Sequence, residues 1–167
     1  MDKKIFIING PAGAGKDTFV SMVGSLVPSV NYSSVVLVKE AAKILGWEGG
    51  KDDKDRKFLS DLKDLSTAYS SAIFKDILER AERFRNDDIN EFMFIHIREI
   101  PEISTLAKVL DAKTILITRI GVDPNKSNTA DANVLNYDYD IIIHNDGTLG
   151  EFKLKAEEFV RNLQYVG

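Results

Sequence analysis

Short, uninterrupted runs of apolar residues occur at four places along the chain, at residues 5–8, 92–95, 115–117 and 141–143. Each run is continuous rather than alternating, which is the pattern of a β-strand that is covered on both faces. We therefore predict a buried strand at each run. Residues 35–38, which include three valines, predict a fifth strand.

The segments between these strands carry apolar residues at three- and four-residue steps, which is the spacing of one helix face. A first helix follows the first strand, on Phe19, Val23 and Leu26. A longer stripe predicts either one long helix or two stacked helices. It consists of Phe58, Leu62, Leu65, Tyr69, Ile73, Ile77, Ala81 and Phe84.

Two later helices have recognisable starts. Pro101 suits the first turn of a helix that continues through Ile103, Leu106 and Leu110. Thr148 and Glu151 form a capping box, in which each side chain satisfies a backbone N–H group at a helix start. The apolar face of this last helix consists of Leu149, Phe152, Ala156, Phe159 and Leu163.

Strands that alternate with helices predict an α/β fold with a parallel sheet and right-handed crossovers. In such sheets ligands bind at the carboxyl ends of the strands. Residues 120–140 interrupt the alternation, because this stretch is polar and rich in turn formers. A connection of that length is either a functional lid or disordered.

Composition narrows the class of protein. The chain has 167 residues, 44% hydrophobic and 29% charged, which fits one globular domain. Its net charge of -4 argues against a nucleic acid polymer as partner. No apolar run reaches the roughly 20 residues of a membrane span, and the apolar start is too short for a signal peptide. With no cysteine in the chain, we expect a cytoplasmic protein.

Residues 10–17, GPAGAGKD, carry the most specific motif, since they match GxxxxGK[ST] except at the last position. The motif lies between a predicted strand and a predicted helix, as a phosphate-binding loop requires. Glycines let successive N–H groups point at an anion, and the helix start adds positive potential. Lys16 places an ammonium between the β- and γ-phosphates of a nucleotide. The predicted phosphate contacts are Gly10, Ala12, Gly13, Ala14, Gly15, Lys16, Asp17 and Thr18.

The alternative interpretation of this segment is a glycine-rich turn with a surface lysine. Asp17 is the departure from the motif, because most such loops have a Ser or Thr hydroxyl there that binds Mg²⁺. A carboxylate is itself a hard oxygen ligand for Mg²⁺, directly or through water. It also stabilises the first turn of a helix. Both roles of Asp17 remain open at this stage, and the Thr18 hydroxyl can donate to a phosphate oxygen.

Motifs elsewhere in the chain indicate which class of P-loop protein this is. Residues 125–128, NKSN, are superficially similar to the guanine-reading NKxD motif, but Asn128 replaces its aspartate. No predicted strand ends in the acidic residue of a Walker B motif, which argues against motor ATPases. The small chain, the lid-like stretch and a charged helical insertion favour a small-molecule kinase.

The segment from Gly15 to Thr18 resembles the P-loop of phage-type deoxynucleoside monophosphate kinases and, more distantly, of animal-type phosphomevalonate kinases. Residues 96–99 resemble the Asp-x-Arg at a strand end of these kinases. Residues 137–147 resemble their late aspartate, strand and Asn-x-Gly segment, and residues 51–65 resemble a segment of phage and bacterial relatives. The resemblance covers most of the chain, but only the P-loop motif is specific by itself.

This resemblance implies a three-layer P-loop NTPase fold with a five-stranded parallel sheet. It implies one kinase domain over residues 1–167, with an acceptor-binding helical region at about 39–85 and a lid at about 120–138. The implied reaction is phosphoryl transfer from ATP, with Mg²⁺, to a (deoxy)nucleoside monophosphate, giving the diphosphate. The implied partner is thus a small phosphorylated acceptor, and a homodimer is common for such folds.

Two departures from the family pattern bear on activity. His96 stands where relatives often have aspartate. The lid has no arginine between Ile120 and Asn136, where only Lys126 is basic, although many such kinases place lid arginines on the transferring phosphoryl group. Either Lys126 and Arg119 suffice, or activity is weak or absent.

Lys16, Arg98 and Arg119 are the predicted catalytic residues. Lys16 and Mg²⁺ would offset charge that develops on the β,γ-bridge. Arg98 follows the 92–95 run, at the same sheet edge as the P-loop, where a guanidinium would hold the acceptor phosphate. The alternative for Arg98 is a surface ion pair with Glu99 or Glu102.

Arg119 follows the 115–117 run and would stack on adenine or contact a phosphate; its alternative is structural pairing with Asp123. Arg56 opens the long helical stripe and is expected near the acceptor, although its aspartate-rich neighbours fit a solvated face equally well. His96 would contact Mg²⁺-bound water or the acceptor, and its alternative is a structural hydrogen bond.

The remaining candidates have weaker support. Asp131 would organise the closed lid or simply form a turn. Trp47 and Tyr69 would stack on a base, or pack in the core as helix aromatics do. His96 and His144, without cysteines, predict no zinc site. Two further functions stay open: a kinase of another phosphorylated metabolite, and a nucleotide-binding protein without turnover.

Overall fold

The computed structural model describes residues 3–122 and 133–164. Its centre is a parallel sheet in the order β2-β3-β1-β4-β5. The strands are β1 (Lys4–Asn9), β2 (Ser29–Ser33), β3 (Phe92–His96), β4 (Lys113–Thr118) and β5 (Ile141–His144). The helices of the described residues are α1 (Lys16–Gly24), α2 (Val36–Ile44), α3 (Asp53–Tyr69), α4 (Ala72–Arg85), α5 (Ile100–Leu110) and α6 (Leu149–Gln164).

Four of the predicted strands are confirmed as β1, β3, β4 and β5, but the fifth prediction is wrong. Residues 35–38 span the last residue before α2 and its first turn, whereas the fifth strand is the more polar β2. Val38 and Ala42 lie one helical turn apart and are both buried. Val38 packs in the core cluster that includes Ile5 and Ile7 of the sheet, so tertiary contact outweighs the strand preference of the valines.

The core has two parts, one on each face of the sheet, so the fold has three layers. On one face α1 and α6 pack through a cluster of phenylalanines, in which the Phe6 ring lies 5.2 Å from both Phe94 and Phe159. On the other face α2, α4 and α5 cover Ile5, Ile7 and their neighbours. The fold is the expected three-layer α/β fold.

The long apolar stripe is divided between two helices, α3 and α4, which was one of the two expected arrangements. The α4 part is buried, whereas Leu65 and Tyr69 at the end of α3 are 68% and 89% exposed. The expectation that these two residues join a packed face is wrong, because α3 lies at the margin of the core and buries no residue fully. Only Leu59 and Leu62 of α3 pack against the core cluster.

Two other residues of the predicted helix faces also lie outside the core. Leu26 follows the end of α1 and is 43% exposed, and Leu149 is 68% exposed in the first turn of α6. The predicted capping box is confirmed: the Glu151 N–H donates to Thr148 Oγ1 at 3.2 Å, and the Thr148 N–H donates to a Glu151 carboxylate oxygen at 2.7 Å.

Within residues 3–122 and 133–164, no helix combines the length and apolar character that a bilayer crossing needs. Most of the predicted lid, with Asp123, Lys126 and Asp131, lies outside the described residues, as does the NKSN segment. The described end of that connection, from Asn133 onward, lies against the sheet, and Val134 is fully buried in the core.

Candidate active site

The carboxyl ends of all five strands meet at one edge of the sheet, because the strands are parallel. The P-loop follows β1 there, Arg98 follows β3, Arg119 follows β4, and Asn145 follows β5. The sheet topology therefore places the candidate segments from the sequence analysis at one edge of the sheet. This arrangement is the expected location of a ligand site in an open α/β sheet.

At two positions of the P-loop, neighbouring atoms lie so close to the backbone that there is no room for a side chain. A Cβ atom on Gly10 would lie 2.3 Å from the Ile117 carbonyl oxygen, and a Cβ on Gly15 would lie 2.5 Å from Asn145 Nδ2. Gly15 also has a left-handed φ of 103°. The loop is therefore pressed against β4 and the segment after β5, and only glycine fits at these positions.

Asn145 ties the other end of the P-loop to the sheet. Its Nδ2 donates to the Ala14 carbonyl at 2.9 Å, while its own N–H donates to the Thr118 carbonyl at 2.7 Å. The residue is 9% exposed. We did not predict a role for Asn145, and its only signal in the sequence is its place in the Asn-x-Gly segment after a strand.

Lys16 begins α1, and its side chain folds back over the loop. Its Nζ donates to the carbonyls of Gly10 and, at 3.0 Å, of Pro11. The ammonium thus lies against the start of the loop, and the residue is half-buried.

A cavity of about 360 Å³ lies beside the P-loop. Of the predicted site residues, it brings together Gly13, Gly15, Lys16, Asp17, Thr18 and Arg119. Asn145, Gly147, Leu149 and Phe152 complete its lining. Gly10 and Ala14 are buried behind the loop, and Ala12 is exposed. The cavity is within the usual size range of small-molecule sites.

His96, at the end of β3, lies beside the P-loop, near Asp17. Its Nε2 is 2.8 Å from Asn31 Oδ1 and 3.9 Å from Asp17 Oδ1. Burial lowers the pKa of His96 below its usual value; the nearby Lys16 and Arg98 charges lower it further, against the opposing effect of Asp17. His96 is therefore neutral at neutral pH, and it has the structural hydrogen bond that was its alternative role.

Arg98 is exposed, two residues beyond the end of β3. Its charge is close enough to His96 to contribute to the lowered pKa of that residue. One of the two carboxylates expected as its structural partner, Glu102, pairs instead with Lys63 of α3 at 3.3 Å. The structure thus brings Arg98 to the same edge as Lys16 and Asp17.

Arg119 lines the cavity and is exposed. The backbone next to it is held by the segment after β5, because the Ile120 N–H donates to Asp146 Oδ1 at 2.6 Å. Asp123, its expected alternative partner, lies outside the described residues. The geometry is compatible with a contact to either the base or the phosphates of a nucleotide.

Other predicted candidates lie apart from the cavity. Arg56, in the first turn of α3, is exposed, and its Nε donates locally to the Lys51 carbonyl at 2.9 Å. Trp47 is half-buried with its Nε1 enclosed and unpartnered among the described residues, and the exposed Tyr69 is not a core residue. His144 Nδ1 lies 2.7 Å from Thr118 Oγ1.

The residues present fit ATP and Mg²⁺. The tight approach of Gly10 and Gly15 to neighbouring backbone and side-chain atoms shapes a loop that suits phosphates, and Lys16 lies against it. The Asp17 side chain is 93% exposed and lines the cavity, so its carboxylate is available as a hard oxygen ligand. Among the described residues no group of three or more His, Asp or Glu side chains is arranged to bind a metal alone. A magnesium ion here would need phosphate oxygens as further ligands.

The fold is similar to those of several solved structures, two of which are named as kinases. TT1252 from Thermus thermophilus superposes with a TM-score of 0.58 at 17% identity, over 98% of this chain and 99% of that one. A sugar kinase from Janibacter sp. HTCC2649 gives 0.56 at 11% identity, over 95% of each chain. Dephospho-CoA kinase from Campylobacter jejuni gives 0.52 at 14% identity, over 96% and 97%. No protein-family profile and no curated protein sequence matches the chain.

Proposed function

We propose that this protein transfers the γ-phosphoryl group of ATP to a (deoxy)nucleoside monophosphate, giving the diphosphate. One observation supports the proposal above all: the cavity beside the P-loop and the positively charged Arg98, which follows β3, lie at the same edge of the sheet. Lys16, Asp17 and Arg119 line the cavity, and His96, followed by Arg98, lies 3.9 Å from Asp17. A donor triphosphate and an acceptor phosphate would therefore bind side by side.

The donor half of the site holds the nucleotide through backbone and cation contacts. Amides of the P-loop and the start of α1 bind the phosphates, and Lys16 offsets charge on the β,γ-bridge. Asp17 would hold Mg²⁺ directly or through water, and the ion would supply positive charge to the β- and γ-phosphates. Arg119, at the mouth of the predicted lid, contacts the base or a phosphate.

The acceptor half lies beyond β3. Arg98 binds the acceptor phosphate with its guanidinium, and neutral His96 orients it as a hydrogen-bond partner. The helical region of residues 39–85, with Arg56, contacts the rest of the acceptor, and residues 120–138 close over the reactants within one kinase domain. An acceptor phosphate oxygen attacks the γ-phosphorus, and the bond from that phosphorus to the bridging oxygen of the departing ADP breaks.

A nucleotide panel tests this function. The purified protein is incubated with ATP, Mg²⁺ and each ribo- and deoxynucleoside monophosphate, and diphosphate formation is measured. We expect turnover with at least one acceptor and a loss of about 10²–10³-fold in Lys16→Ala, because one cation in contact with the transferring group is removed. Lys108→Ala, an exposed lysine on α5, is the control. A protein that binds ATP but phosphorylates none of these acceptors contradicts the proposal.

Two alternatives make different predictions. The similarity to structures named as a sugar kinase and a dephospho-CoA kinase favours another phosphorylated small metabolite as acceptor, which predicts thermal stabilisation by such a metabolite and by no nucleoside monophosphate. The replacement of a hydroxyl by Asp17 favours a nucleotide-binding protein without turnover. That alternative predicts ATP binding alone, so calorimetric binding of any nucleoside monophosphate argues against it.

A further inference from the structure

Asn9, the last residue of β1, has a buried amide that bonds to several segments at once. The residue is 1% exposed. Its Oδ1 accepts from the Gly10 N–H at 2.8 Å, at the first position of the P-loop. Its Nδ2 donates to the Tyr139 hydroxyl at 2.9 Å and, with a longer contact of 3.4 Å, to the Arg98 carbonyl. One side chain therefore contacts the start of the P-loop and the backbone of Arg98.

Tyr139 links Asn9 to the segment that joins β4 to β5. Its hydroxyl accepts from Asn9 and donates to the Val134 carbonyl at 2.9 Å. Tyr139 is 7% exposed and Val134 is fully buried. Burial raises the pKa of Tyr139 to about 12, so the hydroxyl keeps its proton, and hence its donor role, at neutral pH.

The hydrogen bonds thus form one buried network of Asn9, Tyr139, Gly10, Arg98 and Val134. The network ends on three parts of the proposed machinery: the phosphate-binding loop, the backbone of the arginine that we propose binds the acceptor, and the described end of the proposed lid. A buried side-chain amide can have the sole role of completing the hydrogen bonds of one turn. Here the Asn9 amide bonds to the next residue, Gly10, and also to Arg98 and Tyr139, which lie 89 and 130 positions away, so a displacement of one segment changes the hydrogen bonds of the others.

We propose that Asn9 and Tyr139 are positioning residues that set the P-loop relative to Arg98 and couple both to the described end of the lid. This role rests on the proposed function. Both residues are buried, and neither lines the cavity beside the P-loop. Phosphoryl transfer depends mainly on alignment of the two phosphates, so a shift of Arg98 relative to the P-loop slows transfer without removing any group that contacts ATP.

Tyr139→Phe tests the proposal, because it removes the hydroxyl and keeps the ring. Tyr137→Phe is the matched control: its ring packs 4.9 Å from that of Tyr139, and its hydroxyl takes no part in the network. We expect kcat to fall by roughly 10–100-fold in Tyr139→Phe, since small misplacements of reacting groups have costs of this order. We expect the Kd for ATP to change by less than about threefold, because groups in contact with ATP remain.

Asn9→Ala and the double variant provide a second measurement. If the hydroxyl of Tyr139 acts through Asn9, its removal has little further effect on kcat once Asn9 is gone, so the two effects are not additive. Additive effects on kcat, or a Tyr139→Phe enzyme with the kcat of Tyr137→Phe, overturn the proposal. A merely structural role predicts lower thermal stability with unchanged kcat for the folded protein.

Hydrogen exchange in the protein without nucleotide separates this proposal from the proposed function. The Gly10 amide is expected to exchange at least about tenfold faster in Tyr139→Phe than in Tyr137→Phe, because its acceptor loses a fixed orientation. If the native protein transfers no phosphoryl group, the proposed function fails, and this amide still decides whether the network exists. An unchanged exchange rate at Gly10 overturns the network whatever the activity.

Discussion

Asp17 has a carboxylate where most P-loops carry a hydroxyl, and this difference has a measurable consequence. The side chain lines the cavity and is 93% exposed, 3.9 Å from His96. A role in Mg²⁺ binding and a role at the helix start both agree with this position. The two roles differ in their dependence on the metal.

For a metal-binding role, Asp17→Asn weakens ATP binding in Mg²⁺ by at least about tenfold, since a charged oxygen ligand is lost. Binding in EDTA stays the same or improves, because a negative charge near the phosphates is removed. Calorimetry under both conditions provides the measurement, with Asp88→Asn as an exposed control. Equal weakening with and without Mg²⁺ would exclude metal ligation.

Alanine substitutions at Gly15 and Gly13 separate the cost of backbone strain from the cost of a steric clash with the added Cβ atom. Both have a left-handed φ, of 103° and 83°, but only a Cβ at Gly15 meets another atom, Asn145 Nδ2 at 2.5 Å. We expect either alanine variant to lose about 1–2 kcal/mol of unfolding free energy from strain. Gly15→Ala loses more, and also loses ATP binding, because Asn145 must release Ala14. Urea unfolding and calorimetry measure the two effects; equal results for both variants would contradict the contact.

At the scale of elements, the edge strand β5 is joined to β4 by a carboxylate at its start. One oxygen of Asp140 accepts from the backbone N–H and the hydroxyl of Thr114, both at 2.8 Å. Partial burial raises the pKa of Asp140, but the hydrogen bonds from Thr114 and the charge of Lys113 outweigh burial, and the pKa is lowered overall. A charged Asp140 therefore adds hydrogen bonds to the pairing of these two strands.

This lowered pKa predicts how stability depends on pH. A group with a depressed pKa in the folded state stabilises above its unfolded value, about 3.9. That contribution is lost as pH falls below this value through the folded-state pKa. Asp140→Ala is thus expected to lower the unfolding free energy at neutral pH and to make its decline in acid less steep. Urea unfolding at several pH values measures this, and Asp138→Ala, an exposed neighbour, serves as control.

At the scale of the whole molecule, a ligand that binds only the folded protein must stabilise it. ATP with Mg²⁺ at about 100 times its Kd is expected to raise Tm by roughly 5–10 °C for a domain of this size. Lys16→Ala should abolish most of the shift, and Lys108→Ala should keep it. A shift that persists in Lys16→Ala would mean that ATP binds elsewhere.

Local patterns were sufficient to predict much of this molecule. Short stretches of sequence were enough to predict four strands, the apolar stripe that α3 and α4 share, the capping box of α6 and the P-loop. They could be predicted because burial on both faces, helix spacing and glycine-rich turns depend on near neighbours. The convergence of Lys16, Asp17, Arg98 and Arg119 at one edge also followed, since parallel strands align their carboxyl ends.

The three-dimensional packing decided the rest. The choice between strand and helix at residues 35–38 depended on the packing of Val38 in the core cluster on one face of the sheet. Asn9 reaches Tyr139 across 130 positions, and Asn145 reaches Ala14 across 131. No periodicity in the chain predicts such contacts, because a hydrogen bond between distant residues exists only after the sheet order and register have brought them within about 3 Å. The sequence alone therefore determined which reactive side chains are available, and the folded structure determined which residues hold them in place.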